Sequence, residues 1–217
     1  MKNSSEQILK KLLIRYPELE MLHGNIENAI DVLTSCYKNG GKVLVCGNGG
    51  SASDSEHIVG ELMKGFLLPR KLELKDQEKI REMFSQDAEY LIKNLQQALP
   101  TISLVSQTSL QTAFANDNAP DLAFAQQVFG YGNKQDVLMA ISTSGNSKNV
   151  LYASQIAKCK DMKVISLTGS TGGKLKNLSD VIINVPSNET FIIQEYHLPV
   201  YHAICACLEN EFFSYED

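Results

Sequence analysis

The chain has 217 residues and a formal net charge of −5, with 43% hydrophobic and 21% charged residues. That length suits one sizeable domain with helical additions, and that composition excludes a largely disordered chain. The acidic balance argues against a nucleic-acid-binding surface, although backbone N–H groups and hydroxyls can hold an anion without any basic excess. The five cysteines, Cys36, Cys46, Cys159, Cys205 and Cys207, are odd in number and sit among apolar residues. They read as reduced core thiols. Cys205 and Cys207 have no second Cys/His pair at finger spacing, so core packing is preferred over metal ligation. The first twenty residues lack a secretory pattern, and no apolar run approaches the roughly 18 residues of a membrane span. A cytoplasmic protein with no membrane partner is expected.

In chain order, residues 1–40 are predicted to be helical outside the sheet. Glu20–Asn39 places Leu22, Ile26, Ala29, Ile30 and Leu33 on one face and stops at Asn39-Gly40-Gly41. Five apolar runs follow: Lys42–Cys46, Thr101–Val105, Val137–Ile141, Lys163–Leu167 and Val181–Val185. They lack polar alternation, as strands covered on both faces do. Helix-length segments separate them, which predicts an α/β fold: one doubly wound five-stranded parallel sheet in a single domain spanning 1–217. Residues 67–100 lengthen the first crossover. The spacing of Ile80, Met83, Phe84, Leu91, Ile92, Leu95 and Leu99 predicts one amphipathic helix from Asp76 to Pro100, padding the fold, forming an interface or serving as a lid. A last helix runs to about Phe213.

The first strand leads into Cys46-Gly47-Asn48-Gly49-Gly50-Ser51-Ala52, a glycine turn before a helix where N–H groups can approach an anion. Gly47-x-Gly49-x-x-Ala52 also satisfies a dinucleotide fingerprint. That fingerprint wants an acidic residue about 20 positions on, at the end of the second strand, which here ends in Ser106-Gln107. The third strand ends in Ile141-Ser142-Thr143-Ser144-Gly145-Asn146-Ser147 before another helix. One hydroxyl would suffice as an N-cap; four in six residues favour a phosphate cradle. Thr168–Gly173 opens a similar loop on the same sheet edge. His57 and Glu61 share a helical face and could ligate a metal, or pair a base with its partner. Three of the four histidines lie in that helix and in Gln194–His202; His23 stands apart on an N-terminal helix.

Together the segments CGNGGSASDSEHIVGEL, AND at 115–117, ISTSGNSKNV, VISLTGSTGGKL and IQEYH ending in His202 resemble the SIS (sugar isomerase) domain, with its flavodoxin-like sheet. Specifically, they resemble the sedoheptulose 7-phosphate isomerase, or phosphoheptose isomerase, family, over Glu20–Phe66 and Thr101–Phe213. The resemblance implies that Asn48, Gly49, Gly50 and Ser51 contact a sugar phosphate and that Asn116 and Asp117 bind its hydroxyls. Ser142, Thr143, Ser144 and Ser147 would hold the phosphate. It implies one zinc ion per subunit on His57, Glu61, Gln194 and His202, proton transfer by Glu61 and His202, and substrate contact by Glu61 and Gln194. It also implies a homotetramer with sites completed across subunits. Residues 67–100, the segment 189–193 and Pro199 depart from the family pattern. They leave open a second function, a non-catalytic phosphosugar sensor or an adaptor for a replication initiator protein.

Overall fold

The structure, a computed structural model, describes residues 1–214. Its elements run α1 (Asn3–Arg15), α2 (His23–Lys38), β1 (Val43–Cys46), α3 (Gly50–Met63), α4 (Leu74–Met83), α5 (Ala88–Asn94) and β2 (Thr101–Ser103). Then come α6 (Thr108–Asp117), α7 (Ala123–Tyr131), β3 (Val137–Ile141), α8 (Lys148–Cys159), β4 (Lys163–Thr168), β5 (Val181–Asn184) and α9 (Thr190–Phe213).

The five strands are parallel and ordered β2-β1-β3-β4-β5. Strand alternation divides each strand between two cores. Val43 and Val45 join Val137, Met139 and Ile141 in a core shared with α1, α2, α3 and α9. Leu44 and Cys46 join Leu138 and Ala140 in a second core beneath α7 and α8. This is the doubly wound α/β architecture that the five apolar runs predict.

Two local expectations change. A 3₁₀ turn over Pro17–Leu22 precedes α2, so the second helix begins at His23 and not at Glu20. The single helix predicted from Asp76 to Pro100 is two short ones, α4 and α5, and residues 95–100 are not helical. Ser85, Gln86 and Asp87 interrupt the pattern with hydroxyl, amide and carboxyl groups that compete for backbone hydrogen bonds. The apolar periodicity also has little to pack on: α4 buries no residue, and Met83, Phe84 and Leu95 remain exposed.

Pro199 does not interrupt α9, which continues through it. From Val200 to Asn210 every residue of α9 is buried except His202. One of the buried residues is a carboxylate. Glu209 accepts hydrogen bonds from the backbone N–H groups of Phe66 (2.7 Å), Leu67 (2.6 Å) and Leu68 (3.0 Å) and from Arg70 Nε (2.9 Å). Arg70, also buried, donates onward to the carbonyls of Leu62 (2.6 Å) and Glu61 (2.9 Å) at the end of α3. The pair fastens the first crossover to the last helix.

Replacing Glu209 by Ala strands the Arg70 cation and three N–H groups without their acceptor. The variant should lose roughly 3–5 kcal/mol of stability, read as a lowered urea midpoint.

Candidate active site

Strand order reverses between β1 and β3, so their carboxyl ends open a crevice where doubly wound folds place ligands. The loops that flank it are those with the glycine and hydroxyl motifs. Asn48 and Asn149 bridge them with reciprocal 2.9 Å side-chain hydrogen bonds. Gly50 begins α3, and a Cβ there would fall 2.5 Å from Gln194 Nε2, so the glycine is what lets the Gln194 amide lie against the helix start.

The hydroxyl loop is held from behind. Gly145, at φ +63°, leaves no room for a side chain against the Gly172 carbonyl. Gly169 N–H donates to the Thr143 carbonyl (2.9 Å), and Leu175 N–H to that of Gly145 (3.0 Å), which locks the Thr168–Gly173 loop onto this one. Ser147 occupies the N-cap of α8 but makes no capping bond. Its Oγ lies 3.1 Å from Ser142 Oγ. The N-cap explanation of the serines therefore fails at Ser147, and hydroxyls converge beside an uncapped, positively polarised helix start.

The second cluster lies along α3, where His57 is seven residues beyond Gly50, about 10 Å by helical rise. His57 Nε2 is 3.1 Å from Glu61 Oε1 and 3.4 Å from His202 Nε2. Glu61 is fixed from its backbone by Arg70, and its Oε2 is buried without a hydrogen-bond partner; Lys64 Nζ is 3.9 Å away. On the far side of His57, Tyr201 Oη lies 3.0 Å from Nδ1 and donates to Asp54 Oδ1 at 3.2 Å. Burial and the neighbouring His57 lower the His202 pKa, and Glu61 opposes them. Burial raises Asp54, opposed by the Tyr201 hydrogen bond, and burial together with Asp54 raises Tyr201.

Of the residues expected to meet a metal, His57, Glu61 and His202 are together. Gln194 is against Gly50, and among the described residues no hydrogen bond joins it to the other three. Among the described residues no group of three or more His, Cys, Asp or Glu is placed so that it could hold a metal ion. The donor set nevertheless suits zinc. With bonds of about 2.0–2.1 Å, adjacent donors of a tetrahedral ion lie about 3.3 Å apart. The two separations from His57 Nε2, 3.1 and 3.4 Å, bracket that value. Asn116 and Asp117 end α6, exposed and bonded to each other at 2.9 Å. Ser51 is buried in the first turn of α3.

Sequence reasoning passed over Asp54, Tyr201, Arg70 and Glu209. Asp54 is three residues before His57 on the same helix and Tyr201 adjoins His202, so spacing could have flagged the first pair. Nothing local marks the second, which meets across 139 residues.

The SIS domain family matches residues 15–76 and 79–169. The chain is similar to a phosphoheptose isomerase of Helicobacter pylori, 43% identical over 89% of this chain and 88% of that one. It is also similar to one of Shewanella denitrificans, 37% identical over 91% and 89%. Among solved structures it is similar to the phosphoheptose isomerase of Neisseria gonorrhoeae (35% identity, 92% of this chain and 94% of that one, TM-score 0.70). The phosphoheptose isomerase of Francisella tularensis is comparable (32% identity, 96% of each chain, TM-score 0.72).

Two outcomes follow from this geometry. The double replacement Ser142→Ala and Ser144→Ala should weaken inorganic phosphate binding by about 1.5–3 kcal/mol per hydroxyl that contacts the anion, measured by calorimetry. His197, fully buried with Nδ1 unpartnered, is pushed down to about 4 by burial, against a Thr168 carbonyl hydrogen bond that raises it. Its stability contribution is therefore complete above the unfolded value of about 6.5 and declines as pH falls toward 4, by up to roughly 3 kcal/mol. Denaturant midpoints across that range should fall more steeply for the wild type than for His197→Gln.

Proposed function

Because the chain belongs to the SIS-domain family of phosphoheptose isomerases, we propose that it interconverts a ketose phosphate and an aldose phosphate, sedoheptulose 7-phosphate and the corresponding heptose 7-phosphate. The observation that carries this reading is the pair of clusters described above. One is a hydroxyl-lined anion cradle at the start of α8; the other, about two turns beyond Gly50 on α3, is a carboxylate with an unpartnered oxygen beside two imidazoles. A sugar that is held by a phosphate at one end and reacts at the other needs two such places.

The reaction removes a proton from the carbon next to the ketone, returns one to the ketone carbon, and exchanges a proton between their oxygens. Glu61 takes and returns the carbon proton. Its Oε2 has no hydrogen-bond partner to displace, while Oε1 is occupied by His57. His202 moves the oxygen-bound proton, and its lowered pKa favours the neutral ring that can accept it. Ser142, Thr143, Ser144 and Ser147 hold the phosphate with the start of α8. Asn48, Gly49, Gly50, Ser51, Gln194, Asn116 and Asp117 bind the remainder of the sugar.

His57, Glu61, His202 and Gln194 are the residues that would hold one zinc ion per subunit. Bound there, zinc polarises the substrate carbonyl and stabilises negative charge on its oxygen.

A homotetramer is proposed on the exposure of Ile14 (80%), Met21 (75%) and Phe191 (61%) on the terminal helices and the turn before α2, with a neighbouring subunit completing each site. The protein works in the cytoplasm, which agrees with five cysteines that are all free. No helix among the described residues is long and apolar enough to cross a membrane. The adaptor function is not favoured, because the relatives named above are isomerases.

Incubation with a panel of ketose phosphates, followed by product analysis, tests the reading. Sedoheptulose 7-phosphate should be converted, and Glu61→Gln should reduce turnover at least about a hundredfold while phosphate binding survives. Failure to convert any member of the panel would reject the isomerase.

A further inference from the structure

Phe66, three residues beyond the end of α3, meets α9 at two points. Its backbone N–H donates to Glu209 Oε1 (2.7 Å), and its ring lies 5.7 Å from the His202 ring, centroid to centroid, at an interplanar angle of 40°. His202 and Glu209 are about two turns apart on α9 and so share one face of it. A single residue of the crossover therefore spans both: the buried carboxylate holds its main chain, and its ring lies against the imidazole. The chain is fixed on either side of Phe66. Leu67 and Leu68 donate to the same carboxylate (2.6 and 3.0 Å), and Gly65 N–H donates to Gln96 Oε1 (2.5 Å). Gln97, on the same returning arm of the crossover, donates from its N–H to the Arg70 carbonyl (2.8 Å).

His202 is the side chain on which this frame acts. It is the partly open position in an otherwise buried stretch of α9, where a ring without neighbours would exchange rotamers freely. Its neighbours are rings. His57 and Tyr201 pack against it at 4.8 Å and 5.0 Å with interplanar angles of 82° and 79°, and Phe66 is the third, the one that comes from the crossover. All three separations lie where aromatic rings attract one another. We propose that Phe66 is a positioning residue for His202: anchored through its backbone by Glu209, it holds the imidazole so that Nε2 stays 3.4 Å from His57 Nε2. The proposal deepens the isomerase reading and rests on it for its effect on turnover; the placement of the ring does not depend on that reading. It also gives the 67–100 segment a part at the site, since Gln96 and Gln97 fasten the turn that delivers Phe66.

The test compares Phe66→Leu, which keeps an apolar side chain in the turn but removes the ring, with the conservative Phe66→Tyr. Metal-free protein is labelled at histidine, and the His57 and His202 signals are assigned by their loss in His57→Asn and His202→Asn. The wild type should show a nuclear Overhauser cross-peak between the ring protons of these two residues. That peak should be lost in Phe66→Leu and kept in Phe66→Tyr. The kcat for the ketose phosphate should fall about ten- to a hundredfold in Phe66→Leu while KM changes little, and Phe66→Tyr should retain it. Urea midpoints separate these effects from loss of the fold. Phe66→Met reads the same signals if Phe66→Leu does not fold. An absent wild-type peak, a peak undiminished without the Phe66 ring, or an active enzyme whose kcat is indifferent to that ring would overturn the proposal. Should the wild type convert no phosphosugar, the isomerase reading falls, and the cross-peak comparison still decides whether Phe66 positions His202.

Discussion

Helix α9 carries apolar residues around its whole circumference over its second half, and such a helix must be covered on every side. Helices α1, α2 and α3 supply the cover, with the sheet beneath. Enclosing a helix so fully would bury any charge upon it, and Glu209 is 1% exposed. The surrounding backbone answers that charge with three N–H groups and the Arg70 guanidinium. Because Arg70 also binds the carbonyls of Glu61 and Leu62, the constraint passes directly to the end of α3. The separation between α3 and α9, and hence that between His57, Glu61 and His202, depends on this buried pair. His202 is the one residue of the Val200–Asn210 stretch left partly open, which aims the helix at the site.

An anion site in a chain of net charge −5 needs a local source of positive potential. The switch point of the sheet provides it, since the helix starts and loop N–H groups after β1 and β3 converge there. Rigidity comes from contacts between loops. The Asn48–Asn149 bridge joins the two sides, and the close approach of Gly145 to Gly172 removes freedom from the hydroxyl loop. Such pre-organisation lowers the cost of ordering the loop around a ligand.

The acid–imidazole cluster is arranged differently, through side chains drawn from two helices. His57 Nε2 lies 3.1 Å from Glu61 Oε1 and 3.4 Å from His202 Nε2, and the other Glu61 oxygen is left without a partner. Within a single chain Gln194 remains at the N-terminus of α3, tied there by its packing on Gly50. The glycine turn and the His57–Glu61 pair therefore lie about two turns apart on α3, while the hydroxyl loop faces them from the start of α8.

By itself the sequence determined the strands, the parallel sheet and the two loops, because buried strands need unbroken apolar runs and tight turns need glycine at set positions. It also paired His57 with Glu61, since helical spacing places residues four apart side by side. It misjudged the 67–100 segment, where an amphipathic period met no surface to pack on and local hydrogen-bonding side chains broke the helix. Only the tertiary structure decided that Arg70 meets Glu209, that Tyr201 links Asp54 to His57, and that Gln194 and His202, on one helix, occupy different neighbourhoods. These contacts join residues far apart in the chain. Their partners are set by how α3, α9 and the crossover between them pack, and no local pattern of residues encodes that packing.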